Sequence, residues 1–254
     1  MQKYSIFNLI KNAFSNHQKW DLAWKDPTPK KEYDVVIIGG GGHGLATAYY
    51  LAKEHNITNV AIIEKGWIGG GNVGRNTTII RSNYMHDDNA LFSEFGMDLW
   101  RKMSQDLNYN VMFSPRGIIN LAHSDAQMNV YARRGNSMRL NGIDAELLNR
   151  EQVREIIPMA DFSENVRFPI FGGLMQPSAG TARHDAVAWG YARQADSMGV
   201  DIIQNCEVKG IKRSGDTVEG IETTKGLILT YYRTIQQKVE NNLVIILNER
   251  SQNI

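Results

Sequence analysis

A glycine-rich turn between two apolar segments is the feature that most constrains the fold. The stretch VVIIGG from Val35 predicts a buried strand, and GHGLATAYYLAKEH after it predicts a helix with one apolar face. A second apolar stretch, NVAIIEK (59–65), follows this helix. A strand, a helix and a second strand within about 30 residues form a right-handed parallel crossover unit. The sequence therefore predicts an α/β fold built on a parallel sheet.

The turn also has the spacing of a dinucleotide-binding motif. Gly39, Gly41 and Gly44 form G-x-G-x-x-G, and Glu64 ends the second strand about 20 residues later. The glycines permit a tight turn, a backbone that approaches a pyrophosphate at the helix start, and close packing of helix on strand. Glu64 can accept both ribose hydroxyl hydrogens and would repel a 2′-phosphate, so FAD or NAD is favoured over NADP. The candidate cofactor-binding residues here are Gly39, Gly41, Gly42, Gly44, Glu64 and Lys65.

A second glycine cluster, GWIGGGNVGRN (66–76), favours FAD over NAD. FAD is long, and its flavin half needs another backbone surface beyond the second strand. Glycines interspersed with polar side chains provide such a surface together with hydrogen-bond donors. The alternative interpretation is a flexible surface loop. The further candidate residues are Gly71, Asn72, Arg75, Asn76 and Thr77.

Beyond these clusters the patterns predict a region of helices and antiparallel strands. The helical patterns are 87–107, 125–142, 149–158 and a helix from Asp185. The stretch 110–124 alternates around Pro-Arg-Gly and predicts a hairpin, and 207–226 alternates around Gly-Asp and predicts another. FPIFGGLMQ (168–176) is strand-like. Antiparallel strands beside helices are typical of an α+β domain.

The first 20 residues predict a short amphipathic helix. Tyr4, Phe7, Ile10 and Phe14 recur at helical spacing, with lysines between them and no acid before Asp21. We expect a helix that docks on the body of the protein or on a partner. A membrane-surface helix or an organelle presequence is the alternative.

Charge balance and cysteine count disfavour several classes of protein. With 28 basic and 27 acidic residues the net charge is +1, which argues against a nucleic-acid partner. No apolar run approaches the roughly 18 residues that a membrane span needs, and His43, His86 and His123 have no partners at metal-ligand spacing. The one cysteine, Cys206, fits a reducing compartment. We therefore expect a cytoplasmic protein with no metal site and no membrane partner.

Several blocks of the sequence resemble the beta subunits of heterotetrameric sarcosine oxidases, within the glycine-oxidase/D-amino-acid-oxidase family of flavoproteins. The blocks are YDVVIIGGGGHGLATAYYLAKEH, EKGWIGGGNVGRNTTIIRSNY, SQDLNYNVMFSPRG and ARHDAVAWGYARQAD. The likeness extends from residue 1 to about residue 226. The glycine motif is shared by many flavoproteins, whereas ARHDAVAWG is far more particular to these subunits.

The resemblance implies two flavins. Noncovalent FAD would oxidise sarcosine to glycine and a one-carbon unit, with hydrogen peroxide as the other product. FMN would be joined covalently to the histidine of ARHDAVAWG, here His184, with Arg183 as a stabilising cation and Asp185 as a helix cap or orienting group. Arg81 matches an arginine that binds the substrate carboxylate, and a structural ion pair is its alternative role. An alpha subunit that binds NAD and tetrahydrofolate, with gamma and delta subunits, would complete the enzyme.

The resemblance also suggests how the chain is organised: a Rossmann-like FAD-binding domain and a partial α+β substrate domain. The predicted boundaries are 1–33 for the N-terminal helix and linker, 34–84 with about 185–226 for an incomplete FAD-binding domain, 85–184 for part of the substrate and FMN domain, and 227–254 for a non-homologous tail.

The last 28 residues differ from the rest in composition. From Leu227 there is no glycine, alanine, proline or aspartate, and the likeness ends although the similar subunits continue. We expect a frameshifted end, and a true variant terminus is the alternative. Two other functions stay open: a single-flavin glycine or D-amino-acid oxidase, which would not need His184, and an inactive truncated fragment of the beta subunit.

Overall fold

The computed structural model describes residues 5–20, 22–163, 165–214 and 217–233. The helices are α1 Ile6–Ala13, α2 Gly42–His55, α3 Asp87–Asp106, α4 Asp125–Leu140, α5 Arg150–Ile156 and α6 His184–Ser197. The strands are β1 Val35–Ile38, β2 Val60–Ile63, β3 Ile79–Ile80, β4 Ile118–Ala122, β5 Glu146–Asn149, β6 Gly172–Gln176, β7 Gly180–Thr181, β8 Asp201–Ile203, β9 Val208–Ser214, β10 Thr217–Thr223 and β11 Gly226–Arg233. The chain forms two compact units, divided after Gly74 and after Val187.

The first unit, which comprises the chain up to Gly74 and from Ala188 onward, contains the predicted parallel sheet. Its strand order is β1-β2-β8, and all pairs are parallel. Strand β2 is buried along its whole length. A strand covered on both faces is apolar throughout, which is why VAII shows no polar alternation. The α/β prediction with a βαβ unit is confirmed.

A second sheet of the first unit is antiparallel, with the order β11-β10-β9. The hairpin predicted over 207–226 is confirmed by the pairing of β9 with β10, while its Gly-Asp turn lies outside the described residues. Strand β11 begins at Gly226 and pairs with β10, and Leu229 also exchanges backbone hydrogen bonds with Lys31 and Tyr33. Residues 227–233 of the predicted tail region are thus part of this sheet, and 234–254 lie outside the described residues.

The second unit, Arg75–Val187, is built on the antiparallel sheet β4-β6-β5. Its core includes Met138 of α4 and Leu174 of β6, both fully buried. A two-stranded pair, β3 with β7, completes its sheets among the described residues. The antiparallel α+β character predicted for this part of the chain is confirmed.

The hairpin predicted over 110–124 is wrong. Strand β4 pairs with β6, and Ser114 forms an isolated bridge with Thr181. The chain does turn at Gly117, whose φ is +83° and whose N–H donates to the carbonyl of Ala179. The two arms of this turn pair with segments far along the chain rather than with each other, and alternation alone does not reveal this.

Helix α1 has the predicted amphipathic pattern, but its large apolar side chains are exposed. Phe7 is 78% exposed and Phe14, which follows the helix, is 90% exposed, while Asn12 on the polar face is buried. Ser5 caps the helix by accepting from the N–H of Asn8. Docking on the described body of the protein is therefore not seen, and docking on a partner stays a prediction. Within the described part of the chain, no helix is long and apolar enough to span a membrane.

Candidate functional site

The first glycine turn has the geometry that its spacing predicts. Gly39 follows β1 with φ +109°, a conformation that favours glycine, and its N–H donates to the carbonyl of Ile63 at 2.9 Å. A Cβ on Gly44 would lie 2.1 Å from the carbonyl oxygen of Gly39 and 3.2 Å from Cγ2 of Ile37. Only glycine at position 44 allows α2 to approach the turn this closely.

The start of α2 has the properties of an anion site. Gly41 is the N-cap and supplies no side-chain hydrogen bond to the helix. The N–H groups of the first turn, at Gly42 and beyond, therefore have no side-chain cap, and they carry the positive end of the helix dipole. Such a start suits a pyrophosphate, which offers acceptor oxygens and negative charge together.

Glu64 links the two glycine clusters. One carboxylate oxygen accepts from the N–H of Gly40 at 2.7 Å, and the other accepts from the N–H of Gly66 at 2.8 Å. A carboxylate has about four lone-pair positions, so two remain for ribose hydroxyls. The predicted ribose-binding role of Glu64 is compatible with these contacts, which also fix the orientation of the carboxylate.

The second glycine cluster folds against the first. The N–H of Gly69 donates to the carbonyl of Gly40 at 3.1 Å, and the N–H of Gly74 donates to that of Gly71 at 3.2 Å. A 3-10 turn covers Asn72–Arg75. The first unit thus joins the first glycine turn, Glu64 and Gly69 by hydrogen bonds, with Gly71 two residues further along the second cluster.

Five predicted cofactor residues have exposed side chains. They are Lys65 and Asn72 in the first unit and Arg75, Asn76 and Thr77 in the second. The carboxamide oxygen of Asn76 accepts from the N–H of Thr78 at 2.7 Å, and this turn places Thr78 at φ +60°. Their predicted contacts with a cofactor stay predictions.

Arg81 lies in a cluster of polar residues in the second unit. Its Nη1 donates to Oδ1 of Asn83 at 2.8 Å, and its Cζ lies over the ring of Tyr84, 5.3 Å from the ring centroid. Arg134 of α4 donates to the same Oδ1 at 3.0 Å, and the carboxamide nitrogen of Asn83 donates to Asn120 at 2.7 Å. Among the described residues no carboxylate forms an ion pair with Arg81, so the alternative role as a structural ion pair has no partner there.

The pKa of Arg134 is lowered, first by burial and then by the positive charge of Arg81. Sequence reasoning missed Asn83, Asn120 and Arg134 as parts of this cluster. Asn83 stands within the same TTIIRSNY block as Arg81, but α4 begins about 40 residues later, and no local pattern relates the two segments.

Buried hydrogen bonds fix the backbone next to Arg81. The N–H of Ser82 donates to Oε1 of Gln176 at 3.0 Å, and Nε2 of Gln176 donates back to the Ser82 hydroxyl at 2.7 Å. The Ser82 hydroxyl in turn donates to Glu94 at 2.5 Å. Ser82 and Gln176 are fully buried, so this paired arrangement is strongly specified.

His184 begins α6, as predicted for a helix-start residue. Among the described residues its Nδ1 is buried and has no hydrogen-bond partner. Arg183 forms an ion pair with Asp185, which also accepts from the N–H of Ala186 at 2.9 Å. The hydrogen bond from Arg183 lowers the pKa of Asp185 and the same bond raises the pKa of Arg183.

The ion pair offsets part of the positive charge of Arg183, which remains a cation. The predicted roles of Arg183 and Asp185 beside His184 stay predictions. The described residues also contain no group of three histidine, cysteine or acidic side chains that could hold a metal ion.

A glycine turn, an uncapped helix start and an acid at the end of the next parallel strand define the first unit as a dinucleotide-binding α/β fold. The model of the FAD dependent oxidoreductase family, DAO, matches residues 34–241. The chain belongs to this family. Its FAD-dependent class was predicted and is confirmed.

Individual relatives agree with the predicted resemblance. Sarcosine oxidase subunit beta of Rhizobium meliloti is 61% identical over 226 residues, which cover 89% of this chain and 54% of that protein. The subunit beta of Rhodobacter capsulatus is 51% identical over 228 residues, which cover 90% of this chain and 55% of that protein. The chain therefore spans about half the length of the curated relatives it matches. Among solved structures, L-proline dehydrogenase of P. horikoshii superposes with a TM-score of 0.72 at 28% identity, over 80% of this chain and 52% of that one.

Proposed function

We propose that this chain acts as a beta-type subunit in the FAD-dependent oxidation of sarcosine to glycine, a one-carbon unit and hydrogen peroxide. The observation that carries this proposal is the guanidinium of Arg81. It is held in place by Asn83 and Tyr84 and has no carboxylate partner among the described residues. A fixed, unpaired guanidinium suits the carboxylate of a small amino acid, because it offers two parallel hydrogen bonds and stays protonated.

The residues of the first unit fit noncovalent FAD. The N–H groups at the start of α2 would bind the pyrophosphate, and Glu64 would accept the ribose hydroxyls while disfavouring a 2′-phosphate. When bound, FAD supplies the hydride acceptor for the N-methyl carbon of the substrate. Arg81 contributes by orienting the amino acid through its carboxylate, which fixes the direction in which the N-methyl group points.

A second flavin, FMN, would be joined covalently to His184. The support for this proposal is the buried Nδ1 without a hydrogen-bond partner. A buried polar atom left unpaired destabilises the fold, so a bonded group there would remove that penalty. Such a flavin would supply the route for electrons to oxygen, with peroxide as the product.

Companion subunits belong to the same proposal. The relatives from Rhizobium meliloti and Rhodobacter capsulatus are named as subunits of sarcosine oxidase. We infer an alpha subunit that carries NAD and tetrahydrofolate, together with gamma and delta subunits.

Acid precipitation of the assembled enzyme tests the two-flavin proposal. FMN should remain with the denatured polypeptide, FAD should be released, and His184→Ala should release both. If all flavin is released from the wild-type protein while amine oxidation persists, a single-flavin glycine or D-amino-acid oxidase is the better description. If FAD binds but no amine is oxidised, the chain is an inactive fragment.

A further inference from the structure

Two arginines in the second unit meet on one carboxamide. Oδ1 of Asn83 accepts from Nη1 of Arg81 at 2.8 Å and from Nη2 of Arg134 at 3.0 Å. Asn83 is fully buried, and the two arginines are partly buried. We propose that Arg134 is a positioning residue: through Asn83 it fixes the guanidinium of Arg81 for the substrate carboxylate, and its charge strengthens carboxylate selectivity. This inference rests on the proposed function of Arg81.

The carboxamide of Asn83 can adopt only one orientation. Its oxygen faces two guanidinium groups, which only donate, and its nitrogen donates to Oδ1 of Asn120 at 2.7 Å. A flipped amide would place its own N–H groups against both cations. Arg134 also donates through Nε to the backbone carbonyl of Asn83 at 2.5 Å and through Nη2 to the same oxygen. Arg134 therefore holds both the side chain and the main chain of the residue that holds Arg81.

This arrangement leaves the useful edge of Arg81 available. Nη1 is occupied by Asn83, whereas Nε and Nη2 form no hydrogen bond to any described residue. These two nitrogens form the lateral edge that binds a carboxylate with two parallel hydrogen bonds. Because Asn83 fixes one end of the guanidinium, little rotational freedom is lost when a carboxylate binds at the other end.

The two positive charges make the cluster a site for an anion. Neither Arg81 nor Arg134 forms an ion pair with a carboxylate in the described part of the chain. The positive charges of the two guanidinium groups repel each other. A substrate carboxylate would relieve this repulsion. A substrate without a carboxylate would not, so the charge of Arg134 should contribute to discrimination between the two kinds of substrate.

Helix α4 holds Arg134 at a defined position. A Cβ on the next residue, Gly135, would lie 3.2 Å from Cδ1 of Leu174, so the helix lies close to β6. Tyr131 donates to the carbonyl of Leu121 at 3.2 Å, and Ser137 donates to that of Met85 at 2.8 Å. These contacts on either side of Arg134 fix the position of α4, and the position of α4 places Arg134 within hydrogen-bond distance of Asn83.

The test compares sarcosine with its amide, sarcosinamide, which lacks the carboxylate, in the assembled enzyme. Arg134→Gln should lower kcat/KM for sarcosine roughly 10- to 100-fold, the range for loss of a hydrogen bond to a charged group. For sarcosinamide the change should be under about threefold, since no carboxylate is present. Arg134→Lys keeps the charge but cannot donate from several nitrogens in one plane, so its kcat/KM for sarcosine should lie between those of wild type and Arg134→Gln. Arg133→Gln, at the exposed neighbouring position, is the control and should leave kcat/KM unchanged for both substrates.

Equilibrium binding of sarcosine, which needs no turnover, separates the outcomes. If wild-type protein binds sarcosine no better than sarcosinamide, or Arg81→Gln leaves that preference intact, the proposed role of Arg81 is wrong. If Arg81→Gln abolishes the preference but Arg134→Gln and Arg134→Lys preserve it, only the role of Arg134 is wrong. If the Arg134 variants weaken both ligands equally, Arg134 serves stability alone and the inference is overturned.

Discussion

Replacement of Gly44 by alanine tests whether close packing of helix on turn builds the cofactor site. The added Cβ would lie 2.1 Å from the carbonyl oxygen of Gly39, whereas a favourable contact between carbon and carbonyl oxygen is about 3.3 Å. The start of α2 would therefore have to move by about 1.2 Å. The clash involves backbone atoms on both sides of the turn, so rotation of a side chain cannot relieve it.

The expected cost follows from two opposing effects. Overpacking of this kind costs about 1–3 kcal/mol, and we place a backbone clash at the upper end. The better helix propensity of alanine returns roughly 1 kcal/mol. Gly44→Ala should therefore lower the free energy of unfolding by about 2 kcal/mol and, because it displaces the N–H groups of the first turn, weaken FAD binding at least about tenfold.

A matched control is available in α3. A Cβ on Gly96 would have no atom within 4 Å, so Gly96→Ala should raise the free energy of unfolding by about 0.5–1 kcal/mol and leave FAD binding unchanged. Urea unfolding and FAD titration of both variants give the comparison. Equal stabilities for the two variants, or unaltered FAD affinity in Gly44→Ala, would refute the packing argument.

Three further predictions concern single groups. Glu64→Gln should weaken FAD binding roughly 10- to 100-fold by fluorescence titration, because it removes the charge and one of the two backbone hydrogen bonds; Glu146→Gln, exposed on β5, should have no effect. Burial raises the pKa of Tyr33 from 10.0 to about 12, and its hydroxyl donates to Asp201. Because the folded state favours the protonated phenol, this stability should be complete below pH 10 and lost between pH 10 and about 12. Tyr33→Phe should flatten that part of the pH profile, and an unchanged slope in thermal unfolding would contradict the assignment. Asp185→Asn should keep the helix content, measured by circular dichroism, and the bound flavin, since no hydrogen bond joins Asp185 to His184. Loss of flavin would show that Asp185 orients the imidazole.

Local patterns predicted the parts of the fold whose partners are close in sequence. Apolar runs on either side of the glycine turn are enough to predict β1, α2 and β2, because a parallel crossover has a fixed handedness and length. The hairpin of β9 and β10 was predicted because its two strands are adjacent in sequence. The hairpin predicted over 110–124 failed because β4 pairs with β6, about 50 residues away.

The same limit applies to the candidate site. Gly39, Gly44 and Glu64 lie within one strand-helix-strand unit, and their contacts could be anticipated from spacing. The Arg81 cluster depends on α4, which tertiary packing alone brings to Asn83. The ion pair between Arg183 and Asp185 joins residues that are close in sequence, but the spacing alone did not indicate it.

Anaerobic mixing with sarcosine tests the central claim most directly, because flavin reduction requires both a bound FAD and an oriented substrate. The wild-type enzyme should lose its oxidised-flavin absorbance, and Arg81→Met should slow this reduction at subsaturating sarcosine by at least about 100-fold. In Arg133→Met, which changes an exposed residue of α4, the flavin should be reduced at the wild-type rate. Reduction by sarcosine at an equal rate without Arg81, or no reduction of a bound flavin in the wild type, would contradict the account.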